Sequence, residues 1–105
     1  MTEHLFDSSG NWIAFRRHGG DKYVFDSDGE WIGWLPWNNA DVADTEGNYL
    51  GTIVGNRLVR LPRPYLGYPG YPGYPGYPGY PGYPGYAGYQ SLPPGASDIP
   101  TLKRE

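Results

Sequence analysis

Along residues 1–61, apolar and polar positions alternate in short bursts, and each burst is broken by an Asp and a Gly. The bursts repeat. Leu5-Phe6-Asp7-Ser8-Ser9-Gly10-Asn11-Trp12-Ile13-Ala14-Phe15 is followed by Val24-Phe25-Asp26-Ser27-Asp28-Gly29-Glu30-Trp31-Ile32-Gly33-Trp34, and then by Val42-Ala43-Asp44-Thr45-Glu46-Gly47-Asn48-Tyr49-Leu50-Gly51-Thr52. Alternation with a period of two predicts strands. The Asp-x-x-Gly between each pair predicts the turn. Asp in the first turn position accepts hydrogen bonds from the backbone two residues on. Gly in the fourth takes the left-handed conformation that follows a type I turn. Asp7, Gly10, Asp26, Gly29, Asp44 and Gly47 are therefore expected as structural turn residues, and no helix longer than one turn is expected.

The turn sets a register. Phe6 is expected opposite Trp12 and Leu5 opposite Ile13; Phe25 opposite Trp31 and Val24 opposite Ile32; Ala43 opposite Tyr49 and Val42 opposite Leu50. Side chains alternate across a strand, so one face should hold the aliphatic pairs and the other the aromatic pairs. Ala14, Gly33 and Gly51 fall on the aromatic face in this register, where a missing side chain admits a ring or a bend. A partial fourth unit turns at Gly55-Asn56, between Thr52-Ile53-Val54 and Arg57-Leu58-Val59. Thr2 to Phe6 can close a ring with it.

The unit Phe25-Asp26-x-x-Gly29-x-Trp31-Ile32-Gly33-Trp34, its spacing and its number of copies resemble the four-fold beta-flower family of small bacterial proteins, over about residues 2–60. The resemblance implies an all-β fold in which short antiparallel hairpins form a pseudo-four-fold symmetric shallow barrel. It carries no catalytic signature and no established activity.

The composition changes after Leu61. Residues 2–61 are read as the hairpin-repeat domain, and residues 62–105 as a disordered Gly-Tyr-Pro-rich tail. Nine of the eleven tyrosines lie in this tail, and Gly-Tyr-Pro runs unbroken six times from Gly67 to Pro84. Gly85-Tyr86-Ala87 and Gly88-Tyr89-Gln90 follow as degenerate copies. Without a collagen-length repeat or aliphatics for a core, a linker with polyproline-II character is the plain reading. The evenly spaced tyrosines, Tyr68, Tyr71, Tyr74, Tyr77 and Tyr80 among them, offer rings that can stack on a partner or on one another, or sit at a membrane interface.

Charge and chemistry narrow the function classes. The chain carries −3 at neutral pH, and residues 1–61 hold nine acids against five bases. An acidic domain lacks the positive field that nucleic-acid binding requires, so no nucleic-acid partner is expected. With no cysteine, disulfides and thiolate metal sites are excluded. Asp26-Ser27-Asp28-Gly29-Glu30 resembles half a calcium loop but lacks the later bidentate Glu, so a turn is the expected role. His4 and His18 have no nucleophile or carboxylate beside them in a catalytic motif. The expectation is a non-catalytic protein with no metal and no cofactor.

Arg16, Arg17 and Arg57 could form a small basic rim, with solubilising charge as the alternative. Trp34 and Trp37 flank Pro36 in an irregular loop, and both are candidate contact residues. The functional expectation is a binding or interaction module of unknown ligand. It would contact a protein, a membrane surface or further copies of itself through exposed aromatics and the tyrosine-rich tail. The alternative is a structural protein that oligomerises through sheet edges and tail. No apolar run is long enough to span a bilayer. The expected location is cytoplasmic, peripheral to a membrane where the tyrosines engage one.

Overall fold

The Asp–Gly turns form as the sequence predicts. In the computed structural model, which describes residues 2–37, 39–100 and 102, Gly10, Gly29 and Gly47 have φ of 95°, 85° and 91°. Their N–H groups donate to the carbonyls of Asp7, Asp26 and Asp44 at 3.0–3.1 Å. The carboxylates act as the turn chemistry requires. Asp26 Oδ1 accepts from the N–H groups of Asp28 and Glu30, and Asp44 Oδ1 from those of Glu46 and Asn48. Asp7 Oδ1 accepts from Asn11 N–H.

Each turn joins two strands. β1 (Glu3–Phe6) pairs with β2 (Trp12–Arg16), β3 (Tyr23–Asp26) with β4 (Trp31–Trp34), and β5 (Asp41–Asp44) with β6 (Tyr49–Val54). β7 (Arg57–Val59) follows the Gly55-Asn56 turn and pairs with β6. Neighbours in sequence are neighbours in space, all antiparallel, and the seven strands form a closed barrel. Closure is narrow. β7 meets β1 in parallel at Phe6 and Arg57, and Phe6 N–H donates to Asn56 O at 2.9 Å. The described residues contain no helix.

The register agrees with expectation at the turn and departs from it one step later. Phe6 faces Trp12, Phe25 faces Trp31, and Ala43 faces Tyr49. The next partners are Leu5 with Ala14, Val24 with Gly33, and Val42 with Gly51. Ile13, Ile32 and Leu50 are each an extra residue, so each of the three Asp–Gly hairpins carries a β-bulge just after its aromatic position. The expected pairs Leu5/Ile13, Val24/Ile32 and Val42/Leu50 do not form. The bulge turns the small residues inward, away from the aromatic face to which simple alternation assigns them.

The interior explains why those residues are small. Leu5, Ile13, Ala14, Val24, Val42 and Leu58 form its aliphatic cluster. A Cβ on Gly33 would stand 2.3 Å from the carbonyl oxygen of Ala43 and 3.0 Å from Val42 Cγ1. One on Gly51 would stand 2.6 Å from Ile99 Cδ1. A second cluster, Phe6, Trp12, Phe15 and Phe25, forms the aromatic layer, with Phe15 and Phe25 stacked at 5.5 Å.

Among its described residues the tail carries no strand, yet it is not free of the barrel. Ile99 and Leu102 are buried in the aliphatic cluster, where they complete the core. Arg60 and Ser97 exchange backbone hydrogen bonds at 2.7 and 2.8 Å. Asp98 accepts from the N–H and Oγ of Ser8 at 2.9 and 2.7 Å. The segment has no core of its own, but it packs on the barrel's aromatic layer and turn backbone. The radius of gyration, 12.8 Å, matches the ~13 Å of a folded chain of about 100 residues. Every glycine from Gly67 to Gly88 has φ of 80–91°, so the path is neither uniform polyproline II nor collagen, whose φ is negative. L side chains rarely adopt such φ, so glycine is required at every third position.

The clash at Gly33 involves backbone, whereas the closest contact at Gly51 is the end of a flexible side chain. Gly33→Ala should therefore destabilise the fold by about 1–3 kcal/mol through overpacking, and Gly51→Ala by less. Urea denaturation of both variants measures the order, and a smaller loss at Gly33 would contradict this packing account.

Candidate interaction surface

The three turn glycines serve a second purpose. Because they lack a side chain, the tail lies directly over them. A Cβ at Gly47 would be 2.7 Å from the ring of Tyr68, one at Gly29 2.7 Å from the ring of Tyr77, and one at Gly10 2.5 Å from the backbone of Gly88. Between these crossings the tryptophans engage tyrosines in pairs. Trp31 contacts Tyr71 and Tyr74 at centroid distances of 5.6 and 5.9 Å, and Trp12 contacts Tyr80 and Tyr83 at 5.8 and 6.1 Å. Edge-on and tilted geometries of this kind are favourable for aromatic pairs. From Tyr68 to Tyr77, and from the Trp31 pair to the Trp12 pair, the tail advances three triplets for each hairpin it passes. The period of the tail is commensurate with that of the barrel.

The degenerate triplets now have a reason. Ala87 and Gln90 stand where the earlier copies have proline, and both donate backbone N–H groups, to Gly10 O at 2.9 Å and Ser8 O at 2.8 Å. Proline has no N–H to give. The wrap is tied to the first hairpin at the point where the proline run ends.

Arg57 ties the same region from below. Its side chain is 6% exposed. Nη1 donates to Asp7 O at 2.9 Å and to Gly88 O at 2.8 Å, and Nε to Asn56 Oδ1 at 3.0 Å. It is a buried clasp between β7, the first turn and the tail, and its expected role as a partner contact does not fit this placement. Beside it, between β7 and the tail, is a cavity of about 10 Å³, room for one water molecule.

The other arginines also have internal partners, and the three do not form a shared rim. Arg16 Nε donates to Glu3 Oε1 at 2.7 Å and its Nη1 to Asp21 O at 3.0 Å. Arg17 makes a two-point pair with Asp21 at 2.7 and 3.0 Å, with its guanidinium over the rings of Tyr23 and Phe25. Burial pushes the Asp21 carboxyl up, but the Arg17 guanidinium and the N–H groups of Tyr23 and Arg17 outweigh that and hold it below its ordinary value. Trp34 is half-buried in β4 opposite Tyr23 and Ala43, and Trp37 is half-buried in the loop after it.

His4 lies edge-on to Trp12 at 5.5 Å, with Nε2 3.3 Å from Gly82 O, and His18 is exposed. Among the described residues no cluster of three or more His, Asp or Glu is placed to hold a metal ion, and no helix is long and apolar enough to cross a membrane.

The feature that faces outward is the tyrosine band. Tyr68, Tyr71, Tyr74, Tyr77 and Tyr80, all singled out from sequence, are 60–68% exposed. Tyr65, Tyr83, Tyr86 and Tyr89, which were not, extend the band with exposures of 55–84%. Their place in the same three-residue period was the signal for them.

Two outcomes follow. Arg57→Met removes charge-assisted donors from Asp7 O and Gly88 O, and should destabilise the fold by about 3 kcal/mol and speed chymotryptic cleavage after Tyr86 and Tyr89. Unchanged stability and protection would contradict the clasp. The lowered Asp21 value means its stabilisation is present above the unfolded-state value of 3.8 and is lost as pH falls through the lower folded-state value. Asp21→Asn should therefore be less stable than the parent at pH 7, and the gap should close on acidification below pH 3.8, as read from urea midpoints.

The family model for the 4-fold beta flower protein matches residues 2–103. No curated protein and no solved structure matches the chain. The match runs past the last strand and through the tail to residue 103, as the buried Ile99 and Leu102 would lead one to expect. With seven strands closed from Asp–Gly hairpins and a match over almost its whole length, the chain belongs to the 4-fold beta flower protein family.

Proposed function

We propose that this protein is a non-catalytic contact module that presents its tyrosine band to a partner surface, with a lipid interface as the first surface it suits. The observation that carries the reading is the band itself: nine phenol rings at a three-residue spacing, each 55–84% exposed. Exposed aromatic arrays of this extent mark contact surfaces. Tyrosine combines an apolar ring with a polar tip and is favoured where a membrane meets water. Arg16, Arg17 and Arg57 are engaged internally and the net charge is −3, so the contact would rest on rings rather than on attraction to anionic headgroups.

Co-sedimentation of the full chain with zwitterionic and with anionic vesicles tests this. Binding to the zwitterionic vesicles is expected, with little gain from anionic lipid. Tyr65, Tyr86 and Tyr89 make no ring contact with the tryptophans. Replacing all three with Ser should leave the wrap in place and weaken binding about tenfold, a loss of about 1.4 kcal/mol. No binding to either vesicle, or binding indifferent to the three rings, would sink the lipid reading.

A further inference from the structure

The tail crosses the first and second hairpins in the same way, two tyrosines to each tryptophan, yet the two crossings are not alike. Trp12 is fully buried, whereas Trp31 is half-buried. Tyr71 and Tyr74 stand edge-on to the Trp31 ring, at interplanar angles of 62° and 61°. Among the described residues these two rings make no contact with each other, and they are 60% and 66% exposed. Two phenol rings thus stand on one indole in a cleft open to solvent. The sequence differs at the same place. The first hairpin has Ser9 and Asn11 beside its turn glycine, where the second has Asp28 and Glu30, both exposed. Glu30 adjoins Trp31 in the chain, and charges this close are only partly screened at physiological salt. Ring faces here already hold cations. The Lys22 ammonium and the Arg17 guanidinium lie 5.2 and 5.4 Å from the centre of the Tyr23 ring, itself edge-on to Trp31 at 6.1 Å. Arg17 is neutralised by Asp21, which leaves the charge of Lys22 against those of Asp28 and Glu30. Among the described residues no cation of the chain's own lies over Tyr71 or Tyr74.

We propose that Trp31, Tyr71 and Tyr74 form a site for a quaternary ammonium group, and that its source is the choline head of a lipid. The source rests on the lipid reading of the tyrosine band. The negative faces of several rings set at steep angles attract such a cation. Its charge is spread over methyl groups that donate no hydrogen bonds, so little is lost when it leaves water for a cleft of rings. A primary ammonium carries three donors, and a cleft walled by rings offers few acceptors for them. The site therefore selects choline over ethanolamine, and Asp28 and Glu30 select against an anionic head. The Trp12 crossing, with a buried indole and neutral turn residues, is not a second copy of it.

Nuclear magnetic resonance of the full chain tests the site, with tetramethylammonium chloride replacing sodium chloride at constant ionic strength. Saturable shifts confined to the rings of Trp31, Tyr71 and Tyr74 are expected. No saturable shift, or shifts shared equally with Trp12, Tyr80 and Tyr83, would overturn the proposal. Tyr71→Leu/Tyr74→Leu should weaken tetramethylammonium binding about tenfold, as the loss of two cation–ring contacts implies. Tyr80→Leu/Tyr83→Leu removes the matching pair from Trp12 and should leave the binding unchanged. Equal losses in the two variants would mean that affinity follows the wrap and not this site. Vesicles then separate the site from its source. Phosphatidylcholine vesicles should bind more tightly than phosphatidylethanolamine vesicles, and tetramethylammonium should compete with them. Vesicle binding with no such preference and no response to tetramethylammonium leaves the lipid reading standing and sinks the site. Saturable tetramethylammonium binding without vesicle binding keeps the site and sinks the lipid source.

Discussion

Trp12 and Trp31 each donate an indole N–H to the backbone carbonyl two residues ahead, Ala14 O at 2.7 Å and Gly33 O at 2.8 Å. This small loop of structure depends on the bulge, because the bulge lets a strand residue lay its ring along its own strand. The consequences reach in both directions. Inward, the extra residue sets Ala14 and Gly33 toward the barrel axis, where Gly33 has no room for a methyl group beside Ala43 O. Outward, the indole presents a face and an edge to whatever lies over the hairpin. Each bulge also bends its strand and raises the local twist, which is how strands of three to six residues close into a ring. The third repeat reaches a similar end with different atoms: the Tyr49 hydroxyl bonds Thr52 Oγ1 at 2.6 Å and accepts from Leu61 N–H at 3.0 Å. That copy has no indole to offer, and its turn receives Tyr68 and Pro69.

The parts of the fold legible in the sequence are those decided within a few residues. Asp7 and Gly10, with their counterparts, specify a turn by their own backbone preferences, and the turn fixes the first cross-strand pair. The second pair was not legible. Ile13 and Ile32 look like ordinary alternating residues, and nothing local distinguishes an apolar residue in a bulge from one in a ladder. Arg57 was misjudged for a related reason. A buried arginine satisfied by carbonyl oxygens has no acidic partner in the sequence to reveal it, since its partners are the backbone of Asp7 and Gly88 and the side-chain amide of Asn56.

The contacts of the tail were the least legible part, and its composition explains why. Glycine, tyrosine and proline lack the aliphatic content to build a core, which is true of the segment alone and irrelevant once a barrel supplies the apolar surface. The clues were the exceptions to the repeat. Ala87 and Gln90 break the proline pattern in the two triplets whose N–H groups reach the first hairpin, and Ile99 and Leu102 are aliphatics in a segment that has few. A repeat describes what is common to its sites; the substitutions within it mark where the site differs.

The choice of triplet can be argued from what it prevents. A covering segment of β-branched residues would add to the sheet or pair with other chains along its edges. Proline at every third position removes the donors such pairing needs, and glycine at positive φ breaks the extended path between them. What remains holds the barrel by its rings, at the points where a tryptophan or a bare glycine is offered, and by two mid-run carbonyls, Pro72 O with the Tyr23 hydroxyl at 3.4 Å and Gly82 O with His4 Nε2 at 3.3 Å. The shorter ties lie at the ends: Arg63 to Asp41 at 3.2 Å near the start of the wrap, and Ala87, Gln90 and Ser97 at its finish. A run with interchangeable units sets no register by itself. The tied ends do, and they hold the tyrosines between them in a fixed, outward-facing order.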